Sequence, residues 1–306
     1  MDFLLVAVSL AILLFAGDQL VKGAVNLSLR LGVPAFIVSL TIVAFGTSAP
    51  EMLISIQSVL AGVPGLALGN VVGSNTANVL LVLGVPAVIS GIAMSNCDSA
   101  ASYRQMLAAT VLFIVLCFLG PLVWWHGLIL LAGLALMLAI AFRDARDAED
   151  EPEGADQNLP GWRIGLALAI GLVGLPFGAD LLVDSASRIA RAFGMSDAVI
   201  GLTLVAIGTS LPELATTVMA ALRKQAEVAL GNVIGSNMFN LLAVMGIAVL
   251  FGPVPVGEKF LTLDLWVMLG ASLVLIPFVL IGRNITRLWG VILTALYIAY
   301  VVVLVA

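Results

Sequence analysis

Of the 306 residues, 62% are apolar and only 10% charged, whereas soluble domains run at about half apolar and a quarter charged; a water-soluble globule is excluded. The 18 acids and 13 bases leave a net charge of −5, but seven of those acids crowd into 144–156, a solvated stretch that says nothing about substrate. No basic footprint for nucleic acid is present, and Cys97 and Cys117 lack the spacing of a zinc site, a redox pair or a disulfide framework.

A helix needs about 20 apolar residues to cross the hydrocarbon layer of a membrane. In chain order the sequence predicts spans at 3–29, 34–60, 65–93, 104–120 and 123–142. After one strongly polar stretch, 143–161, it predicts 162–190, 197–220, 226–251, 262–281 and 287–306. The N-terminus shows neither a basic leader nor a clear cleavage site and reads as a retained span. Arg30, Arg104, Arg143, Arg146, Arg163, Arg223, Lys224, Arg283 and Arg287 fall at one side's span ends, against Arg188, Arg191 and Lys259 on the other. Lys22 lies inside the first span. The basic side faces the cytoplasm, so both termini are expected outside and the acidic linker inside. Trp124, Trp125, Trp162, Trp266, Trp289 and His126 lie near span ends, as an interfacial belt would place them.

The chain is written twice. An offset of 162 residues lays Gly46-Thr47-Ser48-Ala49-Pro50-Glu51 on Gly208-Thr209-Ser210-Leu211-Pro212-Glu213, and GNVVGSNTAN at 69–78 on GNVIGSNMFN at 231–240. Between 40–84 and 202–246, 22 of 45 positions are identical without a gap, and Phe15, Asp18 and Gly32 pair with Phe177, Asp180 and Gly194. Two units result, 1–142 and 162–306. Five spans in each is an odd number, so the second must enter the membrane inverted, the arrangement typical of secondary transporters. Duplication for packing alone would spread identity over apolar positions. Here it concentrates on Gly, Ser, Thr, Asn, Pro and Glu.

The repeated residues suit an oxygen cage. Pro50 lacks an N–H and its ring clashes with the carbonyl four residues back, so it kinks the second span, and Gly46 eases local unwinding. If helicity resumes, Thr47 and Ser48 can share a face with Glu51, as Thr209 and Ser210 can with Glu213. Ser74 and Asn78 are four apart on one helix, as are Ser236 and Asn240. Gly69 and Gly73, like Gly231 and Gly235, form small-xxx-small patterns that permit close helix approach. Without nearby His or Cys, hard cations are favoured, and flexible many-oxygen coordination suits Ca2+ better than Mg2+. An ionised acid at the bilayer centre costs at least about 2.5–3.5 kcal/mol, so two glutamates there call for cations or protons. Asp18, Asp180 and Asp184 read as structural or as guards of an access path.

These paired motifs resemble the calcium/cation antiporter superfamily, the sodium/calcium exchangers and their prokaryotic relatives, over essentially the whole chain. The resemblance implies an all-α integral membrane fold of ten transmembrane helices in two inverted five-helix repeats, with a central cluster of cation sites. By motif, Glu51 and Glu213 are the acidic ligands. Thr47, Ser48, Thr209 and Ser210 add oxygens, with the backbone carbonyls of Ala44 and Ala206; Ser74 and Ser236 complete the shell, and Asn78 and Asn240 lie at its centre. Relatives slide the first and sixth spans across the rest. Some relatives, including potassium-dependent ones, carry Asp at the position of Asn240; its amide here argues against potassium dependence. The linker is too short for the calcium-sensing domains of animal exchangers.

The expectation is an Na+/Ca2+ antiporter of a bacterial or archaeal cytoplasmic membrane, with a Ca2+/H+ exchanger as the alternative and a cation channel behind both. Neither a nucleophile nor a metal-ligand set supports an enzyme. No cofactor is expected beyond transported Ca2+ and Na+, and no obligate partner beyond the lipid bilayer.

Overall fold

The computed structural model describes residues 2–94, 99–147, 159–194 and 206–305. Cys97, most of the acidic linker and the start of the expected seventh span, 197–205, lie outside them. Among the described residues the regular elements are helices, and eight are long and apolar enough to cross a membrane. These are α1 (Asp2–Leu31), α4 (Pro64–Ser90), α5 (Ala100–Phe118), α6 (Trp124–Asp147), α7 (Gly161–Ala192), α10 (Ala226–Ala248), α11 (Phe260–Val279) and α12 (Arg287–Val305). Two further helices, α2 (Ala35–Thr47) and α3 (Ala49–Leu60), are long and apolar enough only when taken together, bent by 41° at their break. The described part of the expected seventh span is α8 (Ala206–Gly208) followed by α9 (Leu211–Leu222).

The distribution of side chains inverts that of a soluble protein. Phe3, Leu53, Phe142, Val173, Phe177 and Leu288 are exposed, while Glu51, Glu213, Thr216, Thr217, Asn232 and Ser236 are wholly buried. Lipid supplies no hydrogen bonds, so the polar groups gather inside and the apolar ones face out. The centre is formed by α4 and above all α10, of which the most apolar stretch is entirely buried, whereas α1, α7 and α12 stand at the periphery.

Glycine lets α10 into that centre. A Cβ on Gly235 would lie 2.4 Å from the Leu40 carbonyl oxygen, and one on Gly231 2.7 Å from that of Phe36. The obstacle is backbone in both cases, so the second small-xxx-small pattern does what its spacing predicts against α2. The first does not show it among the described residues: Gly69 comes no nearer than 3.8 Å to the Phe260 ring, and the segment equivalent to α2 lies largely at 197–205. At the periphery Gly171 of α7 plays a similar part, seating α7 against Leu20 of α1.

The sequence offset reappears in three dimensions. Gly32 and Gly194, 162 apart, follow the ends of α1 and α7 with φ of +65° and +83°, the left-handed cap that glycine tolerates best. Two short antiparallel bridges tie the halves together, Ile92 to Ile285 and Leu122 to Val254. The offset carries Ile92 onto Val254 and Leu122 to within one residue of Ile285, so each bridge is the other's counterpart.

Candidate cation site

Both breaks fall at a serine. Ser48, between α2 and α3, has φ −84° and ψ 4°; Ser210, ahead of α9, has φ −86° and ψ 2°. Pro50 and Pro212 follow in the first turn of the new helix, where a missing N–H leaves nothing unpaired. The kink expected from the proline is therefore present, two residues before it. Its consequence differs from the expectation. Because the helix breaks between Thr47 and Glu51, the hydroxyls do not serve the carboxylate of their own motif; they turn to the opposite half.

Ser48 Oγ donates to Glu213 Oε1 at 3.5 Å. Thr47 Oγ1 lies 3.3 Å from Asn232 Oδ1, 3.4 Å from Ser236 Oγ and 3.3 Å from the carbonyl of Ala44. That carbonyl also accepts the Ser48 N–H at 3.0 Å, so in this conformation local donors already use it. Glu51 and Glu213 are wholly buried, and Ser48, three residues before Glu51, is the residue that reaches Glu213. Among the described residues, neither oxygen of Glu51 has a hydrogen-bond partner, nor do Glu213 Oε2, Ser210 Oγ, Thr209 Oγ1, Asn78 Oδ1 and both amide atoms of Asn240. Of the hydroxyls at the two breaks, those of Thr47 and Ser48 are thus engaged, and those of Thr209 and Ser210 have no partner among the described residues. Ser74 is buried on α4, and Ala206 begins α8.

Three features beyond the expected ligands hold these groups. Asn70 donates its amide to the Glu51 carbonyl at 3.2 Å and to Ser55 Oγ at 3.1 Å. Asn232 does the same to the Glu213 carbonyl at 3.3 Å and Thr217 Oγ1 at 3.1 Å. Each asparagine fastens the first turn of the helix carrying the carboxylate, and each is the invariant second residue of its G-N-x-x-G-S-N motif; identity under the offset was the available signal. Asn78 and Asn240 each open a five-residue π-helical turn, Asn78–Val82 in α4 and Asn240–Val244 in α10. Such turns are rare and often mark functional positions. The first packs on α9, which carries Glu213, and the second on α3, which carries Glu51. The Asn237 side chain turns away from its own helix: its Nδ2 donates to Met106 Sδ at 3.7 Å, and its Oδ1 accepts from Asn78 Nδ2 at 3.1 Å.

Other expected residues fall outside this cluster. Asp18 pairs with Lys22 at 2.8 Å and accepts from Arg223 Nε at 2.6 Å, tying α1 to the end of α9, which is the structural role. Asp180 and Asp184 are exposed on α7. Trp124, Trp162, Trp266 and Trp289 are exposed near helix starts as a belt requires, but His126 is buried at 2% exposure and accepts the Val123 N–H at 3.0 Å, so it caps α6 instead.

No group of three or more His, Cys, Asp or Glu side chains is found among the described residues. The cluster offers two carboxylates with hydroxyl and amide oxygens, a hard donor set for Ca2+ or Na+. An unpaired carboxylate in a dry interior is costly, and a cation shared with the second carboxylate removes that cost.

Comparison with known proteins agrees with this chemistry. The sodium/calcium exchanger protein family model matches residues 1–143 and again 164–306, one match per half. The putative antiporter CaxA of Alkalimonas amylolytica is 36% identical over 305 residues, covering 96% of each chain. The sodium/calcium exchanger MaX1 of Methanosarcina acetivorans is 35% identical, covering 99% of this chain and 98% of its own. A solved structure of the sodium-calcium exchanger NCX_Mj, soaked with 2.5 mM Na+ and 1 mM Sr2+, superposes with a TM-score of 0.85 at 32% identity, over 98% of this chain and 97% of that one. With two family matches meeting at a buried oxygen cluster between the halves, this chain belongs to the sodium/calcium exchanger family of membrane cation antiporters.

Proposed function

We propose that the chain exchanges Na+ for Ca2+ across a cytoplasmic membrane by alternating access, with ten spans in two inverted five-helix repeats and both termini outside. The observation that carries this reading is the set of buried, unpartnered oxygens on Glu51, Glu213, Thr209, Ser210 and Asn78. Glu51 and Glu213 supply the charge. Thr47, Ser48, Thr209, Ser210, Ser74 and Ser236 supply hydroxyls, Asn78 and Asn240 amide oxygens, and Ala44 and Ala206 backbone carbonyls.

The coupling follows from charge balance. One Ca2+ cancels both carboxylates, and several Na+ do the same, so the two ions compete for one pair of acids. A site carrying two uncompensated charges resists crossing the low-dielectric centre, whereas a neutral loaded site does not. Movement without an ion is therefore disfavoured, and that makes an exchanger rather than a leak. The inverted halves let one set of residues face either side in turn.

The test is 45Ca2+ uptake into inverted membrane vesicles, driven in separate arms by an Na+ gradient and by a pH gradient. Uptake that depends on the Na+ gradient is expected. Uptake by the pH gradient alone overturns the Na+ reading in favour of Ca2+/H+ exchange, and flux without any counter-ion points to a channel.

A further inference from the structure

The two central amides are held differently, and a short chain of hydrogen bonds accounts for it. Asn78 Nδ2 donates to Asn237 Oδ1 at 3.1 Å, and Asn237 Nδ2 donates to Met106 Sδ at 3.7 Å. All three residues are at most 1% exposed, and they come from both halves of the molecule. An asparagine amide presents a donor at one end and an acceptor at the other, while a thioether sulfur can only accept. The polarity of the chain therefore runs one way. Met106 takes the amino end of Asn237, so Asn237 offers its oxygen to Asn78. Asn78 must answer with its amino group, which leaves Oδ1 buried, without a partner among the described residues, and available to a cation. The opposite rotation would aim N–H groups at the ion and repel it.

The second half contains the same residue types but not the same bonds. Under the offset Asn237 corresponds to Asn75, Met106 to Met268 and Asn78 to Asn240. Asn75 donates instead to the Val71 carbonyl at 2.7 Å, and among the described residues neither amide atom of Asn240 has a partner. One amide is clamped and the other is not.

We propose that Asn237, polarised by Met106, is a positioning residue that holds Asn78 with its oxygen toward the transported cation. The proposal rests on the cation-site reading above. Outer groups that orient a metal's ligands are typically worth 10–100-fold in metal affinity.

The experiment is Ca2+ titration calorimetry on the purified full-length protein in detergent, with ion-free melting recorded for each variant. Asn237→Leu is expected to weaken Ca2+ binding by about tenfold. In an Asn78→Asp background the same substitution is expected to cost less than about twofold, because a carboxylate presents oxygen whichever way it turns and effects in one network are non-additive. Met106→Leu, which keeps the volume and loses the acceptor, is expected to weaken binding in the same direction and to be rescued in the same background. It carries the comparison should Asn237→Leu fail to purify. Unchanged affinity in both single variants, or an equal loss in both backgrounds, overturns the proposal. Absence of Ca2+ binding by the unmodified protein is a separate result, and it overturns the exchanger reading on which this one stands.

Discussion

A serine at the start of a helix ordinarily spends its hydroxyl on the N–H groups of its own first turn. Ser48 makes no such bond and reaches Glu213 instead; Ser210 makes none either. Local stability has been given up at both positions for oxygens aimed into a common interior. The same trade holds for the two glutamates, both wholly buried in a medium that favours neither charge. Glu51→Gln removes a buried charge whose oxygens have no partner among the described residues, so the ion-free protein should gain stability, on the order of 1–3 kcal/mol. At the same time Ca2+ should no longer raise the melting temperature. Thermal melting with and without Ca2+ reads both effects, and a fall in ion-free stability would show that Glu51 is structural. Arg223→Gln is the contrasting case. Its pair with Asp18 is partly exposed, with Arg223 at 36% and Asp18 at 17%, so the expected cost is under about 1 kcal/mol and falls further with added salt.

At the scale of elements, α10 meets α2 through its backbone. Gly235 faces the Leu40 carbonyl, and no rotamer change can move a carbonyl out of the way of a new methyl group. Gly235→Ala should therefore force α10 away from α2, at a cost of about 1–3 kcal/mol, read as a lowered melting temperature. Gly73→Ala should cost less, since nothing within 4 Å would meet its Cβ among the described residues. Equal destabilisation by the two would break this account. The contrast also shows what the sequence made legible. Proline spacing announced the helix breaks, and the repeated motifs named the carboxylates, hydroxyls and central amides. Spacing could not show that a break between Thr47 and Glu51 hands each hydroxyl to the other half, because that depends on packing between residues 165 to 189 apart. Nor do the π-helical turns at Asn78 and Asn240 have a periodic signature: one residue inserted in an apolar helix leaves its hydropathy unchanged. Asn70, Asn232 and Asn237 were visible as identities but silent about their bonds, since an amide can cap, bridge or bind an ion.

For the whole molecule, the arrangement of halves decides which way each loop faces. The bridges from Ile92 to Ile285 and from Val254 to Leu122 exchange places under the sequence offset, as a two-fold axis relating the halves would produce, and the proposed inversion lays that axis in the membrane plane. An axis of that kind requires equivalent loops of the two halves to open on opposite sides. The segment before α11 and the segment after it must then differ in accessibility, and the basic residues assign Lys259 to the outside and Arg283 to the cytoplasm. Both side chains are exposed, so either can report. With Cys97 and Cys117 replaced, Lys259→Cys in intact cells should react with a membrane-impermeant maleimide and Arg283→Cys should react only after permeabilisation. The reverse pattern would invert the orientation yet leave the fold untouched. Labelling of both positions from outside would mean that α11 does not cross the membrane, and the inverted pairing of Glu51 with Glu213 would lose its geometric basis.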